Sequence, residues 1–369
     1  MRQTGFLWDE LCLWHSGGNY ALVSPVGGHV QPLAAGGLPE SPETKRRLVN
    51  LMRMTGLLAT VDFGSAPAAT EQDLRRIHPA SYLEAFKSLS DAGGGELGLR
   101  TPFGTGSYEI AALSAGLVKR AVSEVLGGQL QNAYALSRPP GHHCLPDNPM
   151  GFCLMANIAI ALEAAFADKQ LTKVAVIDWD VHHGNGTEGI FIERPDVMTV
   201  SIHQEHNFPL TGGDVDYRGN GAGQGYNMNI PLPPGAGHDA YLYAFDRLIE
   251  PAISAYKPDL IVVACGFDAS GVDPLSRTLA SADTFRQLTR RTMALATSVC
   301  EGRLVMAHEG GYSELHVPFC GHAVLAEMSG STIEAADPLG ARLDAQQSNA
   351  RVQQFHRQLI DEMAEFFAN

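Results

Sequence analysis

No uninterrupted apolar stretch in the 369 residues approaches the ~18 needed to cross a bilayer, so no membrane span is expected. The first residues, MRQTGFLWDELCLWH, interrupt their apolar positions with Asp9 and Glu10 and lack a signal-peptide core, which makes a cytoplasmic location the expectation. Cysteine is scarce. Cys12, Cys144, Cys153, Cys265, Cys300 and Cys320 form no C-x-x-C pair, which argues against a disulfide framework and for reduced, mostly buried thiols. Positive charge is in deficit, with Lys+Arg 26 against Asp+Glu 40 and a formal net charge of −14. Neither nucleic acid nor an anionic membrane surface is therefore an expected partner. Internal repeats, low-complexity tracts and shifts in composition are also missing. What remains is 45% hydrophobic and 18% charged, the balance of a folded globular chain rather than a disordered or coiled-coil one. Length alone would permit two domains, but nothing marks a boundary. One domain over 1–369 is expected, with a C-terminal helix at about 347–369 packed on it.

The 39 glycines and 21 prolines gather in loops, the longest being Gln31 to Glu43 and Asp91 to Ser107. Between the loops, helical periodicity predicts helices at Ser41 to Leu58, Glu71 to Leu89, Tyr108 to Leu126, Ala156 to Ala167, Asp239 to Tyr256, Asp283 to Cys300 and Asn349 to Phe367. Short apolar runs predict strands at Ala133 to Ser137, Lys173 to Ile177, Val197 to Ile202, Leu260 to Cys265 and Arg303 to Ala307. KVAVI and LIVVA are apolar on both faces, as parallel strands covered by helices on each side must be. The alternation predicts an α/β fold with a mostly parallel central sheet flanked by helices.

The chemistry-bearing residues fall just past the carboxyl ends of these strands, where open parallel sheets bind ligands. ALS runs into RPPGHH with His142 and His143, and KVAVI into DWDVHHGNGT with Asp178, Asp180, His182, His183 and Asn185. LIVVACGF runs into Asp268, and RLVMAH into EGGY with Tyr312. On an extended backbone Asp178, Asp180 and His182 share a face. Two carboxylates and an imidazole there repel unless a cation or a hydrogen-bond network joins them. A divalent metal with three protein ligands and an open position, the pattern of a catalytic zinc, meets that need. The paired histidines could be metal ligands, a general acid/base pair, or incidental. Beside a metal cluster, acid/base work is the better reading.

RPPGHH, MGFC, DWDVHHGNGT, GFDA and EGGY in this order resemble the histone deacetylase family, closest to its class II branch and the bacterial histone deacetylase-like amidohydrolases. The likeness runs from about Gly5 to Met328. It implies a single-domain arginase/deacetylase fold with the active site at the strand carboxyl ends. It also implies one Zn²⁺ per chain on Asp180, His182 and Asp268, with His142, His143 and Tyr312 as catalytic residues. Asp178 then supports His142, and Asn185 stands where class I members carry Asp. Phe152 and Phe208 match the walls of an acyl-lysine tunnel, and Gly151 its backbone acceptor. Ser201, with the backbone of Asp178, Asp180, His182 and Ile202, resembles a potassium site, and a second is implied near Phe191, Val197 and Tyr226. His143 is expected as the acid/base, His142 as its more cationic partner, and His183 as structural support.

The implied reaction is removal of acetyl or other short acyl groups from the ε-amino group of lysine, or from similar small amides. Leu275 in GVDPLSR stands where polyamine-selective relatives place a carboxylate, which favours acyl-lysine over acetylpolyamines, the alternative substrate class. An arginase-type hydrolase would need a two-metal ligand set that the His142–His143 pair and Tyr312 do not supply. A catalytically dead acyl-lysine reader would lack one of the catalytic residues, and none is missing. A homo-oligomer is compatible with all of this, as is iron in place of zinc.

Overall fold

Eight strands form one sheet: β1 (Gln3–Leu7), β2 (Asp62–Gly64), β3 (Leu130–Ala135), β4 (Val174–Asp178), β5 (Val197–Gln204), β6 (Asn227–Leu232), β7 (Leu260–Cys265) and β8 (Leu304–His308). Their order across the sheet is β6-β5-β4-β7-β8-β3-β1-β2, and every neighbouring pair is parallel. This is a computed structural model, and it describes residues 3–31 and 37–368. Part of the expected Gln31 to Glu43 loop lies outside those residues.

Helices cover both faces, which is why the central strands are apolar throughout. In β7, Ile261, Val263 and Cys265 enter one apolar layer, while Leu260, Val262 and Ala264 enter the other. The accessible surface of 14279 Å² matches the roughly 14,000 Å² that area scaling expects of a single folded body this size. The fold is the expected single-domain α/β arrangement. The C-terminal helix, Ala350–Ala368, is held by Tyr243 Oη donating to Asp361 (2.9 Å) and by the Arg247–Asp361 ion pair (2.8 Å).

Local physics explains where the periodicity reading slipped. The helix expected at Glu71 to Leu89 is two, Glu71–Leu74 and Ala80–Asp91, because Pro79 has no amide hydrogen to continue the ladder. The expected Asp239 to Tyr256 helix is continuous but widens by one residue per turn across Phe245–Ile249, just before Pro251. Strand β6 carries Pro231 and two asparagines, Asn227 and Asn229, in NMNIPL, a pattern tolerated because it is the edge of the sheet.

Candidate active site

Four central, adjacent strands deliver the polar residues. In the order β4-β7-β8-β3, their carboxyl ends lead to Asp180 and His182, Asp268, Tyr312, and His142 with His143. The chain runs outward to β6 and then returns to fill the middle, so these ends meet where the winding reverses, the usual crevice of such sheets.

After β3, Arg138 anchors the histidine loop from below. Its buried guanidinium donates to the Cys12 and His15 carbonyls (2.9 Å each) and pairs with Glu40, which also holds Lys45 (2.8 Å). The amides of Gly141 and His142 both donate to Glu309 Oε2, at 2.7 and 3.1 Å. His142 Nδ1 then meets Asp178 Oδ2 (2.9 Å), and His143 Nδ1 meets Asn185 Oδ1 (2.7 Å). The two rings lie 4.0 Å apart between centroids.

The second group corrects the pleated-strand argument. Strand β4 ends at Asp178, and the chain bends through Asp180 to His182. Asp178 therefore faces His142 and does not share a cluster with Asp180 and His182. Asp268 takes that place. Ligand atoms of Asp180, His182 and Asp268 all lie within 4.8 Å of one another, and His182 Nδ1 is 3.0 Å from both carboxylates. The cluster is rigidly built, with Gly310 N–H donating to Asp180 Oδ2 (2.7 Å) and Val181 N–H to Asp268 Oδ1 (2.8 Å). Gly310 has to be glycine, since a Cβ there would sit 2.1 Å from Asp268 Oδ2.

Charge is strained in this cluster. Burial, then the negative charge of Asp180, pushes the Asp268 carboxyl up to about 7. Burial opposes the charge on His182, yet Asp268 and Asp180 hold its pKa up at about 10. Two buried carboxylates share one imidazolium where a divalent cation would satisfy both. The donor set of two carboxylate oxygens and one imidazole nitrogen suits zinc or a similar first-row ion. A second buried group, His142, Cys153 and Glu309, also brings ligand atoms within 4.8 Å, but two of its members already serve the histidine loop.

The histidines differ sharply. His142 stays charged well above the usual imidazole range, because the carboxylates of Asp180 and Asp178 overcome the opposing effect of burial. His143 is pushed well below that range by burial and by the positive charges of His142 and His182. Burial and the charges of Asp268 and Asp180 keep the Tyr312 phenol protonated well above its ordinary pKa.

A cavity of about 370 Å³ descends to this group. Gly151, Phe152, Phe208 and Leu275 all line it, together with His143, His182 and Tyr312, so the expected substrate-contacting residues come together. Phe208 stands edge-on to His143 (5.0 Å) and Phe152 edge-on to Tyr312 (5.7 Å). Gly151, at φ +51°, admits no side chain; a Cβ would fall 2.5 Å from His143 Cδ2.

Ser201 pairs in register with Asp178 and lines with it a separate cavity of about 10 Å³, room for one small ion or water. Phe191 and Val197, expected near a second cation, lie in the apolar layer. His183 points away from the main cavity, to Glu188 Oε2 (3.1 Å). All six cysteines are unpaired and buried. Two supporting carboxyls escaped the sequence reading. Glu309 holds the histidine loop, and Asp273 accepts Tyr312 N–H (2.8 Å) and Leu275 N–H (2.9 Å). Both lie inside quoted segments, EGGY and GVDPLSR, but their work is done on backbone amides that a sequence does not display.

The chain matches the histone deacetylase domain family over residues 38–328. It is 54% identical over 366 residues to a histone deacetylase-like amidohydrolase of Pseudomonas aeruginosa, covering 99% of this chain and 96% of that protein. It is 34% identical over 293 residues to histone deacetylase 8 of Arabidopsis thaliana, with 78% of each covered. The crystal structure of the HDA15 HD domain aligns with a TM-score of 0.82 at 29% identity, over 100% of this chain and 99% of that one.

Proposed function

The chain belongs to the histone deacetylase family and is a hydrolytic deacetylase; from that premise we propose that it removes acetyl or other short acyl groups from the ε-amino group of lysine, or from a similar amide, using one zinc ion held by Asp180, His182 and Asp268. The observation that carries this reading is one cavity between two phenylalanines, lined at once by His143, Tyr312 and His182, the last of which stands within ligand distance of the buried Asp180 and Asp268. A monovalent cation beside Ser201 and Asp178 belongs to the same proposal, supported by the small cavity that these two line with Thr187, Glu188 and Thr199.

When bound, the ion supplies Lewis-acid polarisation and the acidification of a water molecule. The rest is the work of the chain. His143 gives its Nδ1–H to Asn185, which leaves Nε2 unprotonated to take the water proton and later return it to the departing amine. His142, held by Asp178, keeps a positive charge beside the reaction. The Tyr312 hydroxyl donates to the oxygen on which charge develops. Phe152 and Phe208 flank the extended chain of the substrate, and the Gly151 carbonyl accepts its amide N–H.

Side-by-side turnover of acetyl-lysine, trifluoroacetyl-lysine and acetylspermidine by the zinc-loaded protein tests the reading. Both lysine substrates should be turned over faster than acetylspermidine. A preference for acetylspermidine would establish the polyamine alternative instead. Leu275→Glu should move the preference toward acetylspermidine, because a rim carboxylate pairs with its second ammonium. An unchanged ratio would show that Leu275 does not meet the substrate.

The neutral Asn185 sets the working range of His143. An Asp there would favour the imidazolium and raise the His143 pKa by about one unit or more. In the Asn185→Asp variant the acidic limb of kcat/KM should accordingly move to higher pH, since the base is silenced by protonation over a wider range. An unmoved limb on a non-ionising acetyl amide would show that Asn185 only shapes the turn.

A further inference from the structure

The mouth of the cavity carries a charge opposite to that of the chain. Arg100 and Arg277 both line it, and among the described residues no carboxylate does, although Asp+Glu 40 outnumber Lys+Arg 26 in the sequence. Among the described residues neither guanidinium is ion-paired, unlike Arg120 with Glu124, Arg194 with Glu163, or Arg290 with Glu327. Both are held on fixed backbone. The Arg100 carbonyl accepts Phe152 N–H (2.9 Å), and its guanidinium lies 5.3 Å from the centre of the Phe208 ring, over one wall of the cavity. Arg277 N–H donates to Gln204 Oε1 (2.7 Å), and the neighbouring Leu275 carbonyl is held by Asn207 Nδ2 (3.0 Å).

The Arg277 guanidinium gives one N–H to the neighbouring Ser276 carbonyl, and no other contact ties up the remaining N–H groups of either arginine among the described residues. Two guanidinium groups at the entrance of a cleft focus a positive field there, and each fork matches the geometry of a carboxylate. We infer that Arg100 and Arg277 read a carboxylate on the substrate, beyond the acyl-amine chain that enters the cavity. The inference rests on the acyl-amide reading above and narrows it. The carboxylate is either the free α-carboxylate of an acyl-lysine or an acidic side chain beside the acyl-lysine in a peptide. A polyamine amide brings a second cation to the same rim and is repelled.

The test compares kcat/KM within matched pairs on the zinc-loaded enzyme. One pair is Nα-blocked acetyl-lysine as its free carboxylate and as its carboxamide. The other is a short acetyl-lysine peptide amide with Asp or Asn beside the acyl-lysine. The anionic member of at least one pair should be favoured about three- to tenfold, as a partly exposed but well-oriented charge pair provides. Which pair shows the preference identifies the source of the carboxylate. The preference should shrink as salt is raised to shorten the screening length. It should fall toward one in the Arg100→Gln/Arg277→Gln double variant and invert in Arg277→Glu. Equal turnover within both pairs, with the neutral substrates still hydrolysed, would overturn the rim assignment and leave the deacylase reading intact. A preference unchanged in both variants would overturn it equally. No turnover of any acyl amide would overturn the deacylase reading and the rim with it.

Discussion

Replacing Asp268 with alanine should leave a chain that no longer keeps an equivalent of zinc through dialysis. Two donors, Asp180 and His182, then remain of the three that lie within 4.8 Å of one another. Turnover of an acetyl-lysine substrate should drop at least about a thousandfold, several kcal/mol of lost charge stabilisation. The substitution also strands the Val181 amide, which donates to Asp268 Oδ1 (2.8 Å), at about 1–3 kcal/mol. Asp268→Asn keeps an acceptor for that amide, so it separates loss of the ligand from loss of the fold. Added zinc should raise the Tm of the wild type, because only the native state binds it, and should not raise that of either variant. With His182 held up at about 10 and Asp268 pushed up to about 7, protons compete with the ion at both ligands, and the wild type should hold it less firmly as pH falls below about 10, more steeply below neutrality. A full equivalent of zinc retained by Asp268→Ala would remove Asp268 from the ligand set.

Tyr312→Phe should lower kcat by about a hundredfold or more, the loss met when one donor to a developing oxyanion is deleted. Stability should hardly change. The ring keeps its edge contact with Phe152 (5.7 Å), and the hydroxyl faces the cavity rather than a partner in the chain. Tyr312→His should cost acetyl substrates more than trifluoroacetyl ones, whose carbonyl is already electron-poor. Near-normal kcat in Tyr312→Phe would exclude the oxyanion role and move attention to the amides around Gly310.

The parts of this molecule that a sequence displays are those where one short stretch carries its own physics. KVAVI and LIVVA are apolar at every position because both faces of β4 and β7 are covered, and polar groups crowd the ends of those strands. Strand β2 is only Asp62–Gly64, too short to leave a period, and β6 mixes Asn and Pro because the edge permits it. The helix Val317–Ser329 passed unnoticed since it is buried almost all round and shows no polar face. The ligand grouping had a similar limit. A pleat relates Asp178 to Asp180 by spacing alone, whereas Asp268 reaches the cluster from a strand that becomes a neighbour of β4 only when the sheet is assembled. The paired histidines, the tyrosine and the two phenylalanines that line the cavity were legible as a set through family resemblance, but the positive rim was not. Arg100 and Arg277 matter by position, and nothing in GELGLRT or DPLSRT marks them as neighbours of one opening.

The sheet order has a bearing on how the chain is made. Strand β8 is the last to be synthesised, yet it sits between β7 and β3. Without it the strands fall into two sets, β3-β1-β2 and β6-β5-β4-β7, whose β3 and β7 edges lack the partner that closes them, and open edges of this kind invite pairing with another chain. All three candidate metal donors already belong to the second set, while Tyr312 follows four residues after β8 ends at His308. A nascent chain stopped short of Leu304 thus carries all three donors but neither the Gly310 amide that holds Asp180 Oδ2 (2.7 Å) nor the tyrosine. The insertion that closes both sticky edges is the same event that completes the chemistry.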